Sequence, residues 1–244
     1  MRRAVVLALV AFAVASCTAS ADETGSATVV LFDVSNSTRA ESVRTRYDET
    51  FAMVLEHLRD DGGVLGADIV DANPLVHGGL PINETFEPCT ITDNSLDCRE
   101  AQREQERRVL DASDAILQHV SRGTDVFGAL TLASQFFKAY PEAGERTIVL
   151  LSDMVQFANG IRLASAESWS KAELSSLLGE APTVDLTGVR VYVVGAGGTT
   201  TTELTPEQLE GIESFWASWF ERAGAQVVFY GANLARFPIA ETAS

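Results

Sequence analysis

Apolar residues along the chain fall into two kinds of run. Ala27 to Phe32 (ATVVLF), Ala67 to Val70, Arg146 to Leu151 (RTIVLL), Val189 to Val194 (VRVYVV) and Val227 to Tyr230 are short, continuous and rich in β-branched residues. That pattern predicts strands buried on both faces, as in a parallel sheet. Between these blocks the apolar positions recur at helical spacing. Tyr47, Phe51, Val54, Leu55 and Leu58 share one face, and Gly62-Gly63 ends that helix. A charged helix over Arg99 to Val120 has Val109, Ala112, Ile116 and Val120 as its apolar stripe. Its charges read as a solvated face. A third helix, Asp125 to Tyr140, turns Val126, Ala129, Leu130, Ala133 and Phe137 to the core and stops at Pro141. Ala164 to Leu178 reads as a further helix.

Thr205-Pro206-Glu207-Gln208 is a strong helix start: Thr205 caps, Pro206 suits the first turn and Gln208 completes a capping box. Ile212, Phe215, Trp216, Trp219 and Phe220 follow on one face, and Gly224 closes the helix. Both tryptophans are therefore expected in the core. Strands alternating with amphipathic helices predict an α/β fold. Right-handed crossovers make it a doubly wound, mostly parallel sheet with helices on both faces, in a single domain over residues 27–235. Residues 73–98 break the pattern with Pro74, Gly78, Gly79, Pro81 and Pro88. They read as an irregular insertion with room for an edge hairpin. Residues 236–244 form a tail.

The first residues change the picture. Met1-Arg2-Arg3 is basic, Ala4 to Ala13 is apolar, and Val14-Ala15-Ser16-Cys17 follows. Residues 1–16 thus have the parts of a signal peptide, and the apolar run is short of the roughly 20 residues a bilayer span takes. A cysteine after small residues resembles the bacterial lipobox. That resemblance implies a lipidated Cys17, a polar tether over residues 17–26, and a location on the extracytoplasmic side of a bacterial membrane. The chain has three cysteines, so Cys89 and Cys98 remain as a close pair. Outside the cytoplasm such a pair is expected to form a local disulfide. His57, His77 and His119 are scattered and give no zinc spacing. Acidic residues outnumber basic ones 34 to 18, for a net charge of −16. Such a surface repels nucleic acid and attracts cations.

In doubly wound folds ligands bind beyond the carboxyl ends of the strands, so the loops after the strands carry the candidate chemistry. The first strand runs into Asp33-Val34-Ser35-Asn36-Ser37, where a carboxylate and two hydroxyls alternate. Gly123-Thr124-Asp125 adds a hydroxyl at a helix start, and Leu151-Ser152-Asp153 adds a second carboxylate. Oxygen groups without His or Cys suit Mg²⁺, Mn²⁺ or Ca²⁺. At these residues the chain resembles the von Willebrand factor A (VWA) family and its metal-ion-dependent adhesion site. That family's pattern is Asp-x-Ser-x-Ser, then a distant Thr, then a distant Asp, matched here by Asp33, Ser35, Ser37, Thr124 and Asp153. The resemblance implies that these five hold one divalent cation, with a coordination position open to an acidic side chain of a protein partner. One departure is Met154, where the family often has Gly; a bulkier residue there leaves room for a different loop and weaker metal binding.

Gly195-Ala196-Gly197-Gly198 lacks the Lys-Ser/Thr ending of a phosphate loop and reads as a flexible turn. The leading expectation is a lipid-anchored, non-enzymatic binding module for an extracytoplasmic protein ligand. Two alternatives stay open: a metal-dependent hydrolase, and an envelope subunit whose metal only stabilises the fold.

Overall fold

The computed structural model describes residues 25–90, 94–158, 160–163, 170–197 and 204–239. The expected signal peptide, Cys17 and most of the tether lie outside these residues, as do Gly198, the end of the tail and the first part of the helix expected from Ala164. Among the described residues no helix is long and apolar enough to cross a membrane.

Six strands build the central sheet: β1 (Ser26–Asp33), β2 (Gly63–Val70), β3 (Ile82–Phe86), β4 (Arg146–Leu151), β7 (Val189–Val194) and β8 (Gln226–Gly231). They lie in the order β3-β2-β1-β4-β7-β8. Every pairing is parallel except β2 with β3. The continuous apolar runs are explained by burial on both faces. Val29 and Leu31 of β1 join a core with Phe127, Leu130, Trp216 and Trp219. Val30 and Phe32, the alternate residues, join a second core with Phe51, Leu55 and Val109. Helices α1 (Glu41–Asp61) and α2 (Ser95–Leu117) cover the second face. Helices α3 (Val126–Ala139), α4 (Lys171–Glu180) and α5 (Pro206–Arg222) cover the first. The protein is thus a doubly wound α/β domain, and both tryptophans are buried in its core.

The insertion is more regular than expected. After a short 3-10 turn at Pro74–His77, β3 pairs antiparallel with β2 as an edge strand. The Cys89–Cys98 disulfide forms. It joins the segment after β3 to the first turn of α2, because α2 starts at Ser95 rather than Arg99: Asn94 Oδ1 accepts from Leu96 N at 3.4 Å. The helix also ends earlier, at Leu117, which takes Val120 off its apolar stripe and leaves it 46% exposed. The helix expected from Ala164 is described as α4, starting at Lys171 behind a Ser170/Glu173 capping box. The capping box of α5 forms as expected, with Gln208 N donating to Thr205 Oγ1 and Thr205 N to Gln208 Oε1.

A two-stranded hairpin, β5 (Phe157–Ala158) and β6 (Ile161–Arg162), follows β4. Strands two residues long carry no periodicity to read. Strand order reverses at β1, with β2 on one side and β4 on the other. The crevice at that switch point lies beyond the carboxyl ends of β1 and β4, and all the candidate residues come from loops at that edge.

Candidate metal centre

Register places the two carboxylate-bearing loops side by side. Phe32 of β1 is level with Leu151 of β4, so Asp33 and Ser152 leave the sheet together. Ser152 Oγ donates to Asp33 Oδ2 at 2.7 Å and accepts from Met154 N at 2.9 Å. The other carboxylate oxygen, Asp33 Oδ1, accepts from Ser35 N at 2.8 Å. That bond curls the chain back after β1. Thr38 Oγ1 holds the curl, donating to the carbonyls of Asp33 (2.7 Å) and Ser35 (3.0 Å). The curl sets the alternate side chains together: Ser35 Oγ and Ser37 Oγ are 2.9 Å apart.

Asp153 Oδ1 accepts from Val155 N at 3.0 Å, while its Oδ2 is buried without a hydrogen-bond partner. Asp33 is fully buried and Asp153 is 3% exposed. Burial raises both carboxyls above their ordinary value. Asp153 is pushed up to about 7, first by burial and then by the Asp33 charge, while the nearby Ser37 hydroxyl opposes this. For Asp33 the hydroxyl and amide donors and the Arg44 guanidinium partly offset burial. Among the described residues neither carboxylate has a direct ion pair. Two buried acids, one with an orphaned oxygen, are costly unless a cation or protons neutralise them.

The third loop lies against the first. Ser121 N donates to Val34 O at 3.2 Å, in a parallel bridge between Ser35 and Ser121. Thr124, 3% exposed, is fixed by its backbone: its N donates to Phe157 O (3.4 Å) and its O accepts from Phe157 N (2.9 Å). Asp125 caps α3 by accepting from Gly128 N at 3.1 Å. Buried Gln156 ties this loop to the β4 loop, with Oε1 accepting from Val126 N at 2.8 Å. The structure therefore brings Asp33, Ser35, Ser37 and Asp153 into one cluster and sets Thr124 in the adjoining loop.

Several residues of the site had no role in the sequence reading. Ser152 and Thr38 shape the loops. Tyr47 of α1 feels both charges: its hydroxyl is buried without a partner, and its pKa is raised well above normal by burial and then by Asp33 and Asp153. Gly195 has φ 107°, and a Cβ there would meet Tyr47 Oη at 3.0 Å and Ser152 O at 3.1 Å. The glycine turn after β7 thus lets two neighbours close on the site. Met154 has φ 64°. That left-handed conformation suits glycine, which gives a physical reason for the glycine the resemblance led one to expect. The histidines, scattered in sequence, are partly gathered by the fold. His77 Nδ1 lies 2.8 Å from Asp68 Oδ2, and both its Nε2 and that of His119 approach Asp71 Oδ2, at 3.3 and 3.6 Å.

The donor set fits a hard divalent cation. It offers two carboxylates, two adjoining hydroxyls and a third hydroxyl nearby, with an unsatisfied oxygen in their midst. Among the described residues no group of three or more His, Cys, Asp or Glu is placed to hold a metal, so a cation here depends on the hydroxyls. The chain matches no protein-family profile, and no curated protein matches it. Among solved structures it is similar to the pilus adhesin SpaC from Lactobacillus rhamnosus GG in its open conformation. The identity is 13% and the TM-score 0.44, over 86% of this chain and 28% of that one. The chain thus spans little more than a quarter of the length of that adhesin.

Proposed function

We propose that this protein is a VWA-like binding module that holds one divalent cation, Mg²⁺ or a similar hard ion, and uses it to dock a protein partner through an acidic side chain. One observation carries the reading: two buried carboxylates from different strands, without a cationic ion-pair partner among the described residues, with Asp153 set beside the Ser35–Ser37 hydroxyls. Ser35, Ser37 and Thr124 would ligate directly, and Asp33 and Asp153 would supply charge directly or through water. A bound divalent ion would offer an electrophilic position to an incoming carboxylate. Ser152 and Ser35 N hold Asp33 in place, and Val155 N turns Asp153 Oδ2 inward. The lipobox-like Cys17 supports an anchor on the extracytoplasmic side of a membrane, and the net charge of −16 argues against nucleic acid as partner.

Isothermal titration with Mg²⁺ and Mn²⁺ tests the metal directly. One ion per chain is expected, with binding lost in Asp33→Ala and in Ser35→Ala. Absence of binding, or binding unchanged in both variants, removes the basis of the proposal.

A further inference from the structure

Six large hydrophobic side chains are exposed among the described residues, and four of them, Leu75, Val76, Val120 and Phe157, belong to segments at the candidate metal edge. Each is presented by backbone that is tied down. The Pro74–His77 turn carrying Leu75 and Val76 is held by His77, whose ring lies between Asp68 and Asp71, and by Val76 N donating to Asn73 O. Ala72 N, just before this turn, donates to Ser121 Oγ at 3.0 Å. Val120 directly precedes Ser121, which bridges to Ser35. Phe157 exchanges both of its backbone hydrogen bonds with Thr124. Fixed, exposed apolar groups in one region mark interaction sites more often than scattered ones do.

This edge carries exposed arginines as well as acids such as Glu41, Asp68 and Asp71. In a chain of net charge −16, exposed Arg39 follows the Asp33–Thr38 curl and exposed Arg122 lies two residues before Thr124. The Arg162 guanidinium sits 4.6 Å over the Phe157 ring. Exposed arginines interleaved with exposed apolar groups are complementary to a segment that is acidic and apolar.

We propose that this rim reads the residues around the partner's metal-directed carboxylate, selecting a segment in which that acid is flanked by apolar and further acidic side chains. This rests on the metal-docking reading. The test uses the full chain in Mg²⁺ against immobilised heptapeptides with a fixed central Asp and randomised flanks, and against the same library with central Asn. Retained peptides should be enriched in Leu, Ile, Val, Phe, Asp and Glu at the flanks and depleted in Lys and Arg. The double variant Val76→Ser/Phe157→Ser should lose the apolar enrichment and bind the selected peptides about tenfold more weakly. The comparison variant Leu75→Ser/Val76→Ser, in the turn outside the five candidate ligands, should lose part of the enrichment with its Mg²⁺ affinity unchanged. Flat or basic flanks overturn the rim, even if the central Asp is required and EDTA releases the peptides; that outcome leaves the metal reading standing. The flank bias persisting in EDTA, in Asp33→Ala and with central Asn overturns the metal reading and keeps the rim. Retention of no peptide overturns both.

Discussion

Met154 shows how one position can hold two demands in conflict. A non-glycine residue in the left-handed region costs on the order of 1–3 kcal/mol. Yet the side chain is fully buried, and Trp216 Nε1 donates to the Met154 carbonyl at 2.9 Å. Met154→Gly would relieve the backbone but empty a core volume worth roughly 2–5 kcal/mol. Net destabilisation of about 1–3 kcal/mol is expected in urea unfolding; a stabilised variant would mean that backbone strain outweighs the packing. Asp153 gives the second residue-scale expectation. Its carboxyl is raised from 3.8 to about 7 in the fold. The folded chain therefore holds that proton more tightly than the unfolded one, and the associated stability is complete below the unfolded value and lost as pH rises through about 7. In EDTA, lowering pH from 8 to 5 should raise stability, by roughly 1–3 kcal/mol from this group. Asp153→Asn should flatten that part of the profile. Equal profiles for the two proteins in urea titrations would contradict the assignment.

At the scale of elements, most of the scaffold was legible and most of the irregular joinery was not. The five parallel strands were visible because burial on both faces leaves an unbroken apolar run. The capping box of α5 was visible because Thr205 and Gln208 are local to each other. The start of α2 was obscured by its surroundings: Asn94 and Ser95 are ordinary helix-start residues, but they follow a Pro- and Cys-bearing stretch that reads as loop. The candidate cluster was legible in its oxygen-bearing residues, since Asp33, Ser35, Ser37 and Asp153 stand at strand ends, which is a local signal. Ser152, Tyr47 and Gly195 were not, because their roles exist only after β1, β4, β7 and α1 are packed together. The disulfide belongs to this scale too. It closes a loop of nine residues' separation between the end of β3 and α2, for which chain entropy gives about 2–3 kcal/mol. Gln105 of α2 also donates to Thr85 O of β3 at 2.7 Å, so the pairing of helix and edge strand does not depend on the disulfide alone. Cys89→Ser/Cys98→Ser should lower stability by about that amount while leaving Mg²⁺ titration unchanged. Lost metal binding in this variant would show that the insertion supports the site.

The whole molecule separates its two ends. Described chain begins at Gly25 and enters β1 at Ser26, at the amino edge of the sheet, and Asp33 closes the same strand at the other edge. Eight residues of strand span about 26 Å, so a tether at the amino end would leave the candidate site facing away from any anchor. The site itself gathers distant parts of the chain: Ser152 and Asp33, in direct hydrogen bond, are 119 residues apart. An ion held by the loops after β1 and β4 and before α3 would therefore act as a cross-link through the centre of the fold. It would also relieve the repulsion between two buried acids, so its effect should be global. A ligand bound only by the folded state stabilises by about 2.7 kcal/mol when present at about 100 times its Kd. For a domain of this size that raises Tm by roughly 5–10 °C. Calorimetry in saturating Mg²⁺ against EDTA should show such a rise as a shift of the single transition. Asp33→Ala should melt at one temperature in both conditions. A wild-type Tm indifferent to saturating Mg²⁺ would mean that the crevice at the β1–β4 switch point does not hold that ion.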